Sequence, residues 1–262
     1  MELLTKDQIA ELAPSVFATS HDGNRSDRYT FVSSEKIIDE FRDLGWGVAS
    51  AQQPNSRVSD PMHNKHLLRF RPLDSGFAFR DPRNGQDVFP EIVSLNSSNG
   101  TCRWKMLGGA FTMVCANGLI IRMQGFEAIE EEFSRKHIGW DPQLAYDATK
   151  NMSDSFSEFF KTVSDMTQYD LSDNQRTDMA VTARDLRFSD THMDEQQLLT
   201  PRRAEDMGRD LWTTFNVLQE NCVRGGFKLA KRTARELTNI DALEKVNSGL
   251  WASAEKQLVL AG

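Results

Sequence analysis

The stretch Glu91-Ile-Val-Ser-Leu-Asn-Ser-Ser-Asn-Gly-Thr-Cys-Arg-Trp-Lys-Met-Leu107 decides the fold of this chain. Its first six residues have the pattern of a β-strand, and Ser98-Asn-Gly is a strong signal for a hairpin turn. The residues after the turn predict the return strand, whose alternation places Arg103 and Lys105 on one face and Trp104 on the opposite, core-facing side. The sequence therefore predicts an antiparallel hairpin.

Strand and helix patterns continue on both sides of this hairpin. Upstream, alternation predicts strands at Trp46–Gln52 and His66–Arg71, and a serine-capped helix with an apolar face at Ile37, Ile38 and Phe41 precedes them. From about residue 126 the spacing of apolar residues becomes helical. The expected helices begin near Asp141, Asp173, Thr200 and Asp241.

These patterns predict an α+β fold, with a curved antiparallel sheet and a packed helix in the N-terminal half, followed by a mainly helical C-terminal half. The expected divisions are an N-terminal extension over residues 1–28, the sheet with its helix over residues 29–125, and a helical region over residues 126–262. The helical region is expected to pack on the sheet within one continuous domain. A chain of 262 residues can bury a core of that size.

Composition narrows the class of protein. Three cysteines, without a Cys-x-x-Cys spacing, exclude a disulfide framework and a typical zinc site and indicate a reducing compartment. The N-terminus lacks the pattern of a signal peptide, and no run of about eighteen apolar residues indicates a membrane span. We therefore expect a protein of the host cell cytoplasm, without a metal or other cofactor and without membrane contact.

Charge is distributed unevenly along the chain. The net charge is −7, which by itself disfavours an anionic ligand. Residues 61–125, however, carry eight Lys and Arg against four Asp and Glu, and residues 200–236 carry eight against five. Residues 126–199 are acidic, with seven Lys and Arg against sixteen Asp and Glu. Such segregation matters more for binding an anion than the total charge does, although acidic surface helices that flank a sheet would give the same pattern.

Motifs of catalysis are missing from the sequence. No Gly-x-Ser-x-Gly elbow and no phosphate-binding loop with Lys-Ser or Lys-Thr occurs, and the cysteines lie in apolar contexts typical of the core. We therefore expect a protein that is not an enzyme. A less favoured interpretation is a catalytic site near Cys115, Asn117 and His137, because Cys115 precedes the special turn Asn117-Gly118.

Two basic surfaces are the candidate binding sites. The first is the strand face whose parity can join Arg69, Arg71, Arg103 and Lys105, which could follow a phosphate backbone or could simply be the wet face of a sheet. The second follows an amphipathic helix that ends in Arg-Gly-Gly, where the glycine N–H groups could contact phosphate. Its cations are Arg224, Lys228, Lys231, Arg232 and Arg235.

The second surface has a helical spacing. Lys228, Lys231, Arg232 and Arg235 lie at i, i+3, i+4 and i+7, so that a helix here would carry a cationic stripe. An oligomer-contacting segment would explain the same residues. In the preceding helix, Asn216, Gln219 and Glu220 form a polar row, which is usually solvated but could face a partner subunit or a ligand.

Two segments give the chain a family resemblance. The first runs from Asn96 to Leu119, and the second is Leu211-Trp-Thr-Thr-Phe-Asn-Val-Leu-Gln-Glu-Asn-Cys-Val-Arg-Gly-Gly226. They resemble the phage- and plasmid-associated domain-of-unknown-function 932 family, with its wording NSHDG…GxFRLVCxNGL and NLWxxFNxxQENLIRGG. The sequence departs from the family at Ser97-Ser-Asn99, where His-Asp is usual, and at Phe111-Thr-Met-Val, which lacks the usual arginine.

The resemblance implies a role in phage or other mobile-element biology, and the fold pattern is similar to that of phage single-strand annealing proteins. The leading hypothesis is a homo-oligomer that binds single-stranded DNA for strand annealing in recombination, without a nucleotide cofactor. The alternative is a non-enzymatic regulatory or counter-defence protein. In that case the acidic helices of residues 126–199 would bind a host protein.

Overall fold

The computed structural model describes residues 3–23, 31–54, 60–74, 78–80, 85, 87–102, 104–112, 119–121, 142–189, 192–230 and 232–261. Contacts divide the chain into two compact units that are interleaved along the sequence. The first unit comprises residues 1–78, 89–109 and 122–156, and the second comprises residues 79–88, 110–121 and 157–262.

The first unit is built on antiparallel strands. Strand β1 (Trp46–Gln52) pairs with β2 (His66–Pro72), and β2 pairs with β4 (Asp87–Asn96). Strand β5 (Lys105–Thr112) lies next to β4, so the order in this unit is β1-β2-β4-β5. Every residue of β2 is buried, which makes it a central strand covered on both faces.

Helices cover these strands. The first unit contains α1 (Lys6–Leu12) and α2 (Ser34–Asp43), with short 3₁₀ turns at Pro14–Phe17 and Pro61–His63. Its sequence also includes the first part of α3 (Pro142–Gln168).

Helix α2 forms for reasons visible in its sequence. The Ser33 hydroxyl accepts the N–H of Lys36 as an N-cap, and Gly45, with a φ of 83°, follows the helix in the left-handed conformation. Phe41 is fully buried and stacks on Phe70 of β2, with the ring centroids 4.5 Å apart. Burial of each such side chain stabilises the fold by roughly 1.5–3 kcal/mol, so this apolar face holds the helix on the sheet.

His66 lies at the centre of a buried polar network in the first unit. Its Nδ1 is 2.7 Å from the Ser15 hydroxyl, and its Nε2 is 2.7 Å from the Ser34 hydroxyl. The Asn96 amide donates to Ser34 and to the Val32 carbonyl, each at 2.9 Å. Because buried polar groups require partners, this network fixes the start of α2 against β2 and β4. Burial lowers the pKa of His66 to about 4.

Mild acid should destabilise the protein through His66. Below pH 6.5 the unfolded histidine takes up a proton, whereas the folded one stays neutral until the pH approaches about 4. The stability from neutral His66 is therefore fully present above pH 6.5 and decreases as the pH falls, by about 2 kcal/mol at pH 5. Urea unfolding at pH 7.5 and pH 5 measures this loss. A His66→Gln variant should lose about 2 kcal/mol less between these pH values, and an equal loss in both proteins would contradict the assignment.

The second unit is mainly helical. It holds the last part of α3, then α4 (Asp173–Phe188), α5 (Leu211–Arg224) and α6 (Ile240–Ala261). Strand β3 (Phe79–Arg80) pairs with the first residues of β4, and β6 (Leu119–Ile121) lies next to the end of β5. Short 3₁₀ turns at Glu195–Leu199 and Ala204–Asp206 connect α4 to α5.

An aromatic cluster forms the centre of this helical unit. Trp251 of α6 stacks on Phe159 of α3 at 5.3 Å and meets Phe215 of α5 edge-on at 5.7 Å. Trp212 stacks on Phe215 at 5.6 Å. Offset and edge-on pairs contribute about 0.5–1.5 kcal/mol each beyond the area they bury, so they fix how the helices pack.

The structure confirms the α+β fold, with antiparallel strands and a helical C-terminal half. It also confirms Trp104 as a core residue, since it is 3% exposed and its indole N–H donates to Ser94. The helix predicted to open at Thr200-Pro201 is wrong, because Asp210 supplies the N-cap and α5 begins at Leu211. Among the described residues, no helix is both long and apolar enough to cross a bilayer.

Candidate nucleic-acid interface

Helix α5 positions the candidate site at its C-terminal end. The Asp210 carboxylate caps its first turn by accepting the Thr213 N–H at 2.9 Å. At the other end, Gly225 adopts a φ of 62°, which lets the chain leave the helix sharply. A Cβ at Gly225 would lie 2.6 Å from the Ala234 carbonyl oxygen, so the close backbone approach here requires glycine.

Residues 224–235, which we call the basic turn, fold back on themselves. The Gly226 N–H donates to the Ala234 carbonyl at 2.8 Å, and the Ala234 N–H donates to the Phe227 carbonyl at 2.9 Å. An antiparallel bridge joins Lys228 to Thr233. The predicted helical stripe is therefore wrong, because the positive-φ glycines end the helix and cross-turn hydrogen bonds replace helical ones.

In the described part of the basic turn, two apolar residues are buried and the cations are exposed. Leu229 and Ala234 are buried, at 7% and 5% exposure. Lys228, Arg232 and Arg235 are exposed. Arg224, at the start of the turn, is exposed as well but pairs with Glu220. Four of the predicted binding residues thus lie within one short turn in contact with solvent, while Lys231 lies outside the described residues.

A further arginine adds positive charge beside the turn. Arg187 of α4 donates to the carbonyl groups of Cys222 and Arg235, each at 3.3 Å, and its guanidinium lies 4.9 Å above the Phe188 ring. Burial lowers the pKa of Arg187, and the positive charge of Arg232 lowers it further. Two cations held near each other in this way favour an anion in the solvent beside them.

Two of the three residues in the polar row of α5 are buried. Gln219 and Glu220 are 3% and 2% exposed, so the interpretation of a solvated or ligand-facing row is wrong for them. The Gln219 amide donates to Asn247 of α6 at 2.9 Å. The Glu220 carboxylate accepts from Arg203 at 2.7 Å and pairs with Arg224 at 3.4 Å. The contacts of Gln219 and Glu220 therefore hold α5 against its neighbours and do not form a ligand-binding surface.

Asn221, the next residue of α5, holds the chain before the helix. Its amide donates to the carbonyl groups of Leu198 and Thr200 at 2.8 and 3.0 Å, while its oxygen accepts Nε of Arg202 at 2.8 Å. The Nη2 group of Arg202 donates to the Gly225 carbonyl. A cleft of about 250 Å³ lies between these segments.

The expected phosphate contact by the two glycines is wrong for their N–H groups. The Gly225 N–H donates to the Asn221 carbonyl at 3.1 Å, and the Gly226 N–H is used within the turn. Arg202 is the cation at this position instead. Sequence reasoning counted it in the basic block of residues 200–236 but did not select it, because only the tertiary fold brings it to the end of α5.

The predicted strand surface is not a solvated cationic face. Arg69 and Arg71 are 4% and 5% exposed, and each binds one oxygen of the fully buried Glu91 at 2.6 Å. The prediction of solvent exposure is wrong because β2 is covered on both faces, so its charges must be paired internally. Lys105 is half-buried at the start of β5, and Arg103 lies outside the described residues.

Cys222 is not placed for nucleophilic chemistry. Cys222 is fully buried and burial raises its pKa to about 12, which keeps the thiol protonated at neutral pH. The less favoured catalytic residues Cys115, Asn117 and His137 lie outside the described residues. Within the described ranges, no group of three or more His, Cys, Asp and Glu side chains could hold a metal ion.

Comparison with known proteins agrees with the motifs at this site. The family model described as Domain of unknown function (DUF932) matches residues 21–247. Two relatives from Escherichia coli strain K12, UPF0380 protein YfjQ and UPF0380 protein YafZ, are each 31% identical over 268 residues, which cover 97% of this chain and 92% of the relative. No solved structure matches significantly. The chain thus belongs to the DUF932 family, as its two motif segments indicated.

Proposed function

We propose that the protein binds single-stranded DNA through the basic turn, in the DNA metabolism of a phage or another mobile element. The observation that carries this proposal is the clustering of exposed Lys228, Arg232 and Arg235 on a turn backed by Arg187 and Arg202. In a chain with a net charge of −7, a local cationic surface is the part that can attract a polyanion.

The predicted mode of binding is contact with phosphate rather than with base edges. Lysine and arginine at the tip of a turn neutralise phosphates and release counterions, which gives an affinity that falls steeply with salt. Such contacts position a strand but carry no sequence information. We therefore expect sequence-tolerant binding by this surface, and strand annealing by a homo-oligomer is the recombination activity that this binding would serve.

Removal of the charges of Lys228, Arg232 and Arg235 should weaken binding and reduce its salt dependence. For single strands, each lost phosphate contact lowers the slope of log K against log salt by about 0.7, so a Lys228→Gln, Arg232→Gln, Arg235→Gln variant should lose about 2 in slope. Fluorescence anisotropy with a labelled thirty-nucleotide strand, between 50 and 200 mM salt, measures the slope, and a duplex tests the preference for single strands.

A matched control separates local contact from total charge. Lys161, Lys245 and Lys256 are exposed and lie on α3 and α6, away from the basic turn in sequence. Their replacement by Gln removes the same charge and should leave the slope within about 0.5 of the original value. Equal losses in both triple variants would contradict the interface. No binding at micromolar protein and low salt would contradict the function itself and favour a host protein as the partner.

A further inference from the structure

We infer that the cleft between the segment of residues 197–202 and the end of α5 is a phosphate-binding site. Residues from both sides line it: Gln197, Thr200, Pro201, Arg202, Asn221, Gly225, Gly226 and Phe227. The inference rests on the proposed function for the source of the phosphate, which is either a phosphodiester within a strand or a phosphate at its end. Binding of the anion itself stands without that function.

The guanidinium of Arg202 is held in place before any ligand binds. Its Nε donates to Asn221, which is 4% exposed, and its Nη2 donates to the Gly225 carbonyl. Among the described residues, the hydrogen bonds of this guanidinium come from Nε and Nη2, which leaves Nη1 for a ligand. Because the protein already holds one edge of the guanidinium, the Arg202 side chain loses little conformational entropy when its other edge binds an oxyanion.

Gly226 keeps the approach to this guanidinium open. A Cβ at Gly226 would lie 3.9 Å from both terminal nitrogens of Arg202, in van der Waals contact, so glycine leaves the most room beside the guanidinium. Gly226 itself is exposed, and Arg202 is exposed as well. The second glycine of the Arg-Gly-Gly motif thus shares a positive φ with the first and in addition borders this guanidinium.

The lining has the chemistry of an anion site. It contains one cation and no carboxylate, and the Thr200 hydroxyl and the Gln197 amide can donate hydrogen bonds beside Arg202. Pockets for drug-sized ligands measure about 300–1,000 Å³. The volume of about 250 Å³ therefore suits a phosphate group that projects from a larger molecule.

Titration with inorganic phosphate tests the site on the full chain. At constant ionic strength, balanced with chloride, we expect a saturable shift of the Arg202 Nε–H resonance in the ¹⁵N spectrum. Arg202→Gln should weaken phosphate binding, measured by calorimetry, by about tenfold, and Thr200→Val should weaken it about threefold. Thr200→Val removes one hydroxyl at an exposed position, so it remains informative if Arg202→Gln impairs folding. Lys161→Gln on α3 is the control and should bind phosphate as the original does.

Oligonucleotides of one sequence with a 5′-phosphate, a 3′-phosphate or hydroxyl ends identify the source. If one phosphorylated strand binds more tightly than the others and Thr200→Val removes this preference, the site binds a terminal phosphate. If Thr200→Val weakens the binding of all three strands equally, the site binds a phosphodiester. A linear, unsaturable shift, or no effect of either substitution in folded protein, overturns the site. Saturable phosphate binding without strand binding would support the phosphate site in the cleft and refute the proposed function. Strand binding without saturable phosphate binding would support the proposed function and refute the phosphate site.

Discussion

Replacement of Gly225 by alanine is expected to destabilise the protein by about 3 kcal/mol or more. Two causes act together. The φ of 62° is strained for an L-residue, and the new Cβ would lie 2.6 Å from the Ala234 carbonyl oxygen and 2.8 Å from that of Arg235. Both neighbours are backbone atoms that cannot rotate away. For a chain of this size, the loss corresponds to a melting temperature about 6–12 °C lower, measurable by scanning fluorimetry.

Gly45→Ala is the matched control for this substitution. Gly45 also has a positive φ, 83°, but a Cβ there would meet no atom within 4 Å. Gly45→Ala should therefore lower the free energy of unfolding by about 1 kcal/mol, from backbone strain alone. Similar losses in the two variants would show that the contact with Ala234 contributes little, and would contradict the tight closure of the basic turn.

Glu91→Gln is expected to cost about 3–5 kcal/mol. Glu91 is fully buried, with one oxygen bonded to Arg69 and the other to Arg71, both at 2.6 Å. The amide has nearly the same shape but no charge, so two buried guanidinium groups would lose the negative charge of Glu91. Removing one partner of a buried ion pair is costly because the remaining charge is far from water. Urea unfolding at neutral pH measures the loss.

Glu35→Gln gives the corresponding surface comparison. Glu35 pairs with Lys6 at 3.1 Å, but the two side chains are 44% and 36% exposed. Solvent screening limits such a pair to about 0.5 kcal/mol or less. If Glu91→Gln cost no more than Glu35→Gln, the buried triad would not be a structural element of the first unit, and an external role for Arg69 and Arg71 would again be open.

Local chemistry explains why much of the fold could be predicted. Strand β1 has the predicted bounds, Trp46–Gln52, and α2 begins after its serine cap and ends before Gly45. In each case the signal is contained in a few neighbouring residues, namely an alternation, a cap or a left-handed glycine. Such signals need no knowledge of the tertiary fold.

The errors at the candidate sites share one physical origin. Parity correctly indicates that Arg69 and Arg71 share a face, but it cannot show that this face is covered and contains Glu91. The spacing from Lys228 to Arg235 fits a helix, yet cross-turn bonds such as Gly226 to Ala234 decide the backbone. Arg202 reaches the end of α5 through a contact across 19 positions of sequence. Contacts between segments distant in sequence determine each of these results.

Closure of the basic turn at its base has a consequence for which of its positions tolerate substitution. The Leu237 N–H donates to the Val223 carbonyl at 2.7 Å, and Gly226 is tied to Ala234, so the two ends of the turn are fastened to each other and to α5. Exposed positions of the tip, such as Lys228 and Arg232, can therefore accept substitutions without unravelling the helix, whereas Leu229 is buried. Side chains at these exposed positions can therefore change while the scaffold stays intact.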